Sequence, residues 1–221
     1  MIENVYTVCL IVLSYLSGST PTSLIVGKLL RNIDIRDHGS GNAGGTNVFR
    51  VLGWRPALLV VLVDIFKGWF PCAILASYFF DVQSIPDLGV LQIFCGCTAV
   101  LGHTYTVFGG FKGGKGVSTL GGMMLALFPT VFPFCLSIAI ITIILTGYVS
   151  LASIIASCSL PILLILLPPF LGLSPAPLSI MVFSLLVPWF IIFTHRSNVQ
   201  RLRDGSENQF KNAMLFKKGK V

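Results

Sequence analysis

Three stretches of the chain combine residue types able to hold a phosphate. The first runs Gly39-Ser-Gly-Asn-Ala-Gly-Gly-Thr-Asn-Val-Phe-Arg50. Its glycines, Gly41 among them, let backbone N–H groups approach an anion closely. Ser40, Asn42, Thr46 and Asn47 add hydroxyl and amide partners, and Arg50 can fork onto a phosphate. Gly39, Gly41 and Gly44 also spell G-x-G-x-x-G, with Asp64 about 20 residues on, as in a dinucleotide fingerprint. Apolar runs flank the segment and Asp64 falls inside one of them, so no βαβ unit can be built. The second stretch is Gly109-Gly-Phe-Lys-Gly-Gly-Lys-Gly116, followed by Val117-Ser-Thr119. A P-loop needs Ser or Thr directly after its lysine, where Gly116 stands. What remains is a turn at Gly113 and Gly114 between Lys112 and Lys115, leading into a helix N-terminus that favours negative charge.

The third stretch is His195-Arg-Ser-Asn-Val-Gln-Arg-Leu-Arg-Asp-Gly-Ser-Glu207. If the preceding helix continues through it, His195 and Asn198 share a face at i, i+3, with Arg201 and Leu202 next along. Asp64 and Lys67 stand at the same spacing inside an apolar run and are expected to pair, because an unpaired intramembrane charge is costly. His103, just before the second stretch, is either a site residue or a packed tautomer.

Several chemistries are absent. The polar stretches hold no carboxylate pair for glycosidase chemistry, and the chain has no G-x-S-x-G elbow and no H-E-x-x-H. None of His38, His103 and His195 opens an H-x-x-x-x-D pattern, which disfavours an acyl-thioester enzyme using a His–Asp pair. The six cysteines, Cys9, Cys72, Cys95, Cys97, Cys135 and Cys158, sit in apolar stretches without a CxxC pair or flanking histidines. They are expected to be buried, reduced and hydrophobic in behaviour.

Apolar elements must carry these segments. Of 221 residues, 54% are hydrophobic and 10% charged, and the mean hydropathy is +0.87. A soluble domain carries roughly 25% charged residues, so a soluble enzyme is excluded and an integral membrane protein is the expectation. The net charge of +7 does not indicate nucleic acid, because the charges lie between long apolar runs. Glu3 and the lack of a basic start argue against a cleaved signal peptide.

Hydropathy predicts an all-α, polytopic helical bundle of about seven transmembrane helices, one domain over 1–221. The segments are Val5–Leu30 (broken at Gly18-Ser-Thr-Pro21), Ala57–Phe80, Leu88–Phe108, Val117–Phe128, Phe132–Leu145, Ser150–Leu167 and Leu178–Thr194. A five-span reading would treat the fourth and fifth differently. All of the 15 basic residues but Lys67, which lies within the second helix, fall into three groups. Lys28, Arg31, Arg36, Arg50 and Arg55 flank the loop after the first helix, and Lys112 and Lys115 follow the third. Arg196, Arg201, Arg203, Lys211, Lys217, Lys218 and Lys220 follow the last. The opposite side carries Asp81, Asp87 and no basic residue. The positive-inside rule then predicts an outside N-terminus, a cytoplasmic C-terminus and all three polar stretches at the cytoplasmic face. Shared polarity on one face suggests one anionic site; topology signals and headgroup contacts are the plainer alternative. A transporter or channel for a phosphorylated solute is the rival class, since Gly-broken helices and intramembrane charges also mark transport sites. A non-catalytic scaffold does not explain the Ser/Asn/Gly-rich basic loops.

The chain closely resembles the bacterial membrane family of acyl-phosphate:glycerol-3-phosphate acyltransferases, the PlsY type. The resemblance rests on Ser40-Gly-Asn-Ala-Gly-Gly-Thr-Asn47, Phe111-Lys-Gly-Gly-Lys-Gly-Val-Ser-Thr119 and His195-x-x-Asn198-x-x-Arg201-Leu-x-x-Gly205-x-Glu207. It is supported by Gly18-Ser-Thr-Pro21, Asp64-Ile-Phe-Lys-Gly68, Gly102-His-x-Tyr105 and Tyr148-Val-Ser-Leu-Ala-Ser153. Gly45, Ser118 and Thr20 depart from the usual residues without removing a functional group, though Gly45 in place of Ala would loosen the first loop. The resemblance implies acyl transfer from acyl phosphate to the sn-1 hydroxyl of glycerol 3-phosphate, at the cytoplasmic face of the bacterial inner membrane. It implies no cofactor, metal or nucleic acid, and leaves the oligomeric state open. It assigns catalysis to Ser40, His195 and Asn198. Phosphate and substrate binding go to Gly41, Asn42, Thr46, Asn47, Arg50, Lys112, Gly113, Gly114, Lys115, Ser150 and Glu207, with Glu207 also pinning the third stretch.

Overall fold

The computed structural model describes residues 2–81, 87–210 and 214. Lys211, Lys217, Lys218 and Lys220 of the last basic group, and 82–86 of the loop expected on the opposite face, lie outside them. All regular secondary structure among the described residues is helical. The chain divides into two compact units, Met1–Phe128 and Pro129–Val221.

The first unit contains α1 (Ile2–Ser19), α2 (Thr22–Arg31), α3 (Gly45–Leu52), α4 (Trp54–Phe70), α5 (Ala76–Phe80), α6 (Leu88–Thr104) and α7 (Val117–Leu127). Lipid offers no hydrophobic drive between helices, so close backbone contact does more of the work. Glycine makes that contact possible here. A Cβ on Gly18 would run into the Ala99 carbonyl and one on Gly102 into that of Tyr15, which joins α1 to α6. Gly68 and Gly122 likewise meet the Thr119 and Ile65 carbonyls, joining α4 to α7.

Pro21 disfavours helical backbone in the residue before it, and the chain breaks between α1 and α2. The break frees carbonyls that distant donors satisfy, as buried backbone groups require. Lys67 Nζ donates to Thr20 at 2.8 Å, and Thr106 Oγ1 donates to Ser19. Between α4 and α5, Pro71–Leu75 forms a π turn, the usual accommodation where proline removes a ladder donor. Val26, Ile35, Val48, Ala57 and Val60 form a buried cluster that ties α2, α3 and α4 around the first polar stretch.

The second unit contains α8 (Phe132–Thr146), α9 (Val149–Phe170), α10 (Leu178–Thr194) and α11 (Arg196–Arg203). Gly147, at φ +74°, closes the α8–α9 turn. All seven expected apolar segments have helical counterparts. Among the described residues, four stretches, Val5–Arg31, Trp54–Phe80, Leu88–Gly109 and Val149–Phe170, are long and apolar enough to cross a bilayer, and α10 with α11 adds a fifth if that bent pair is counted as one span. Helices α7 and α8 are apolar but shorter. The cysteine expectation needs correction: Cys72, Cys95 and Cys135 are buried, Cys97 is half-buried, and Cys9 and Cys158 are exposed.

Candidate active site

In the first unit the polar stretch 39–50 folds around Asn47, itself fully buried. Its Oδ1 accepts from the Ser40 N–H at 2.7 Å. Its Nδ2 donates to the Ile35 and His38 carbonyls, both at 2.9 Å. Asn47 therefore orders the loop from within, while Ser40, Asn42, Thr46 and Arg50 stay partly exposed. Gly39 and Gly41, at φ +62° and +71°, take the left-handed turns that bring the chain to α3. Gly44 caps α3 with extended backbone and no side-chain acceptor. The Gly44 carbonyl accepts from the Asn47 and Val48 N–H groups at 3.0 and 3.1 Å, but no side chain of the cap takes the first N–H groups of α3.

The stretch 109–116 also ends on a helix capped by glycine alone, Gly116 before α7. Phe111 N–H donates to the Thr106 carbonyl at 2.8 Å and Gly113 N–H to Thr104 at 3.0 Å, so the loop folds back on the end of α6. Lys112 projects from its exposed edge and Lys115 is half-buried. The two stretches meet at Gly114, where a Cβ would strike His103 Nε2 and the Ala43 carbonyl. Arg36 adds a second join. Its Nη1 donates to the Gly109 carbonyl at 2.7 Å and the Lys112 carbonyl at 3.1 Å. Its Nη2 and Nε hold Asp34, the former at 2.6 Å. That hydrogen-bonded partner holds the Asp34 carboxyl below its ordinary range and raises Arg36 in turn.

Behind this join Lys67 Nζ pairs with Asp64 Oδ1 at 2.7 Å, and His103 Nδ1 lies 3.8 Å from the same oxygen. All three side chains are buried. With Thr20, Thr106 and Gly114 they border a cavity of about 10 Å³. The expected Asp64–Lys67 pair is present, and His103 packs with it under the second glycine stretch.

The second unit presents a different construction. Glu207 is buried and receives three donors. Asn198 Nδ2 reaches Oε1 at 2.7 Å, Ser150 Oγ reaches Oε1 at 2.9 Å, and Arg201 Nε reaches Oε2 at 2.7 Å. Burial pushes the Glu207 carboxyl up, but the bonds from Asn198, Arg201 and Ser150 more than offset it, and the net shift is downward. Gly205, at φ +69°, turns the chain back so that Glu207 faces α9 and α11. The expectation of one continuous helix through His195 and Asn198 is corrected: α10 and α11 meet at a 65° bend. His195 occupies the bend, buried, with Nδ1 at 2.9 Å from the Ile191 carbonyl. An Nδ1–H donating there fixes the orientation of the ring at the bend. Among the described residues no group of three or more His, Cys, Asp or Glu is placed to hold a metal ion.

Residues 8–205 match the family described as glycerol-3-phosphate acyltransferase. The chain belongs to that family. Glycerol-3-phosphate acyltransferases of Pelodictyon phaeoclathratiforme and Chlorobium chlorochromatii are each 40% identical to it over 222 residues, covering 90% of this chain and 94% and 95% of theirs. The chain also resembles two crystal structures of PlsY (YgiH), an integral membrane glycerol 3-phosphate acyltransferase. The glycerol 3-phosphate form is 36% identical with a TM-score of 0.78. The lysophosphatidic acid form is 35% identical with a TM-score of 0.77. Each match covers 92% of this chain and 94% of the other. The family read from three motifs is thus the family found.

Within this acyltransferase, Ser40, Gly41, Asn42, Thr46, Asn47, Arg50, Lys112, Gly113, Gly114 and Lys115 all lie in the first unit. Ser150, His195, Asn198 and Glu207 lie in the second. The Ser150 hydroxyl and the Asn198 amide both donate to Glu207, which makes them parts of an internal network as well as candidate ligands. Asp34 and Arg36 escaped the sequence-based site, although Asp34-Ile-Arg36 precedes it directly. The Arg201–Glu207 pair was also missed, its signal being two opposite charges on either side of Gly205.

Proposed function

We propose that the protein transfers a fatty acyl group from acyl phosphate to the sn-1 hydroxyl of glycerol 3-phosphate. A new ester C–O bond forms at the acyl carbon and its bond to the phosphate oxygen breaks. The hydroxyl proton leaves with inorganic phosphate, and the product is 1-acyl-sn-glycerol 3-phosphate. The carrying observation is the meeting of two glycine-rich stretches at Gly114, each running into a helix N-terminus that glycine alone caps. Such termini favour an anion.

Arg50, Lys112 and Lys115 supply cationic contacts, and Gly41, Asn42, Thr46, Gly113 and Gly114 shape the phosphate cradle. Asn47 acts through the loop it orders. Ser40 stabilises the developing oxyanion. His195 and Asn198 position the glycerol hydroxyl and Ser150 binds glycerol phosphate, with Glu207 pinning the stretch by accepting from Ser150, Asn198 and Arg201. An acyl phosphate is already activated, so orientation and electrostatic stabilisation suffice, with no metal or cofactor. The long acyl chain partitions readily into an apolar surface.

The family match runs through both units, which supports a single acyltransferase domain over 1–221. The basic bias supports seven spans, an outside N-terminus and a site facing the cytoplasm of a bacterial inner membrane. Labelling from outside should modify an engineered cysteine in the 81–87 loop and spare one near Asn208; equal labelling in intact cells would reverse the topology. The reaction itself is tested with purified protein in detergent. Acyl phosphate and glycerol 3-phosphate should give phosphate and 1-acylglycerol 3-phosphate, far faster than acyl-CoA does. Comparable turnover with acyl-CoA would overturn the donor assignment. No turnover with either donor, together with uptake of a phosphorylated solute into vesicles, would favour a transporter.

A further inference from the structure

We infer that the Asp34–Arg36 pair is a positioning device that sets Lys112, linking the entry of the first polar stretch to the second. This inference rests on the phosphate-binding role of Lys112 proposed above. By its type and place in a basic segment, Arg36 looks like one more phosphate ligand or topology charge. Its bonds point elsewhere. One guanidinium nitrogen bridges the carbonyls of Gly109 and Lys112, at 2.7 and 3.1 Å. The other two nitrogens are gripped by Asp34, whose oxygen also accepts from the Arg36 N–H at 2.9 Å. The planar fork is thus locked at both edges, and its charge is largely neutralised by its own neighbour.

The bridged residues carry the least comfortable backbone of the loop. Phe111, between the two held carbonyls, has φ +60°, a region bulky side chains rarely adopt. Such a conformation persists only where its surroundings over-determine it. Here the Phe111 N–H bond to Thr106, the Gly113 N–H bond to Thr104 and the Arg36 bridge do so together. The direction in which Lys112 leaves the loop follows from that turn. Lysine cannot replace Arg36, because a single ammonium cannot hold Asp34 and bridge two carbonyls at once. Asp34 is needed in turn, because it fixes the plane of the fork.

A positioning role is separable from plain stability by a double-mutant cycle. Initial rates over a range of both substrates are measured for wild type, Arg36→Gln, Lys112→Ala and the double variant, each checked for insertion and for thermal stability in detergent. Arg36→Gln alone should lower kcat/KM roughly 10-fold, the scale of losing charge-assisted hydrogen bonds. In the Lys112→Ala background the same change should cost less than about 2-fold, because the side chain it positions is gone. Arg36→Lys and Asp34→Asn should give smaller losses of the same kind, and they guard against a failure of Arg36→Gln to fold. An unchanged kcat/KM in Arg36→Gln, or equal losses in both backgrounds, would overturn the positioning role while leaving Lys112 as a phosphate ligand. Wild-type activity of Lys112→Ala would remove both assignments.

Discussion

The two units assemble their polar groups in opposite ways. Around Gly114 the first unit uses backbone: glycines admit close approach, two helix starts lack side-chain caps, and the loop carbonyls are held by Arg36. Around Glu207 the second unit uses side chains, with three donors converging on one buried carboxylate. The first arrangement sets basic residues and glycine-capped helix starts around a tight turn, which suits a site for an anionic ligand. The second brings its own anion and satisfies it, which suits a fixed scaffold. Abundance of polar residues is therefore a poor guide to where a ligand binds; what matters is which charges already have partners.

Changes that fill the backbone site should be the most damaging. In Gly114→Ala the new methyl has a rigid ring on one side and a backbone carbonyl on the other. Displacement of the loop by even about 1 Å can cost on the order of 100-fold in rate. Activity of correctly inserted Gly114→Ala within about 3-fold of wild type would break the contrast at its root. Next is Lys112→Ala, where loss of a charge-assisted phosphate contact should cut kcat/KM by roughly 10- to 200-fold. Arg50→Lys should fall short of full activity, since an ammonium cannot reproduce a two-pronged contact.

The Glu207 network should respond in stability first. Glu207→Ala leaves Asn198, Ser150 and Arg201 without their acceptor, at a cost of about 1–3 kcal/mol, readable as a lower midpoint of thermal unfolding in detergent. The network also predicts a pH dependence. The folded Glu207 carboxyl titrates below its ordinary value of 4.5. Its contribution to stability is therefore full above that value and lost as pH falls through the folded one. Melting curves between neutral and acid pH should show a smaller acid loss in Glu207→Gln than in wild type; identical pH slopes would contradict this. Ser150→Ala should have the mildest effect, about 1 kcal/mol, because Asn198 still donates to the same oxygen. A Ser150→Ala enzyme with wild-type stability but a raised KM for glycerol 3-phosphate would make Ser150 a ligand and blur the contrast.

Much of this was written locally. Apolar runs against sparse charge dictate a multi-pass helical protein, because a polar backbone can cross hydrocarbon only when its hydrogen bonds close within each segment. Pro21 announces the break after α1. The glycines at 39, 41 and 116 mark turns that other residues adopt with difficulty. The roles of the polar side chains were not local. Asn47, Arg36, Ser150 and Asn198 carry the same groups whether they face a ligand or the protein's own carbonyls and carboxylates. Ser150 finds Glu207 57 residues away, and Arg36 finds Gly109 73 residues away. A side chain is open to a ligand only if no internal partner has taken its hydrogen bonds, and tertiary structure alone supplies those partners.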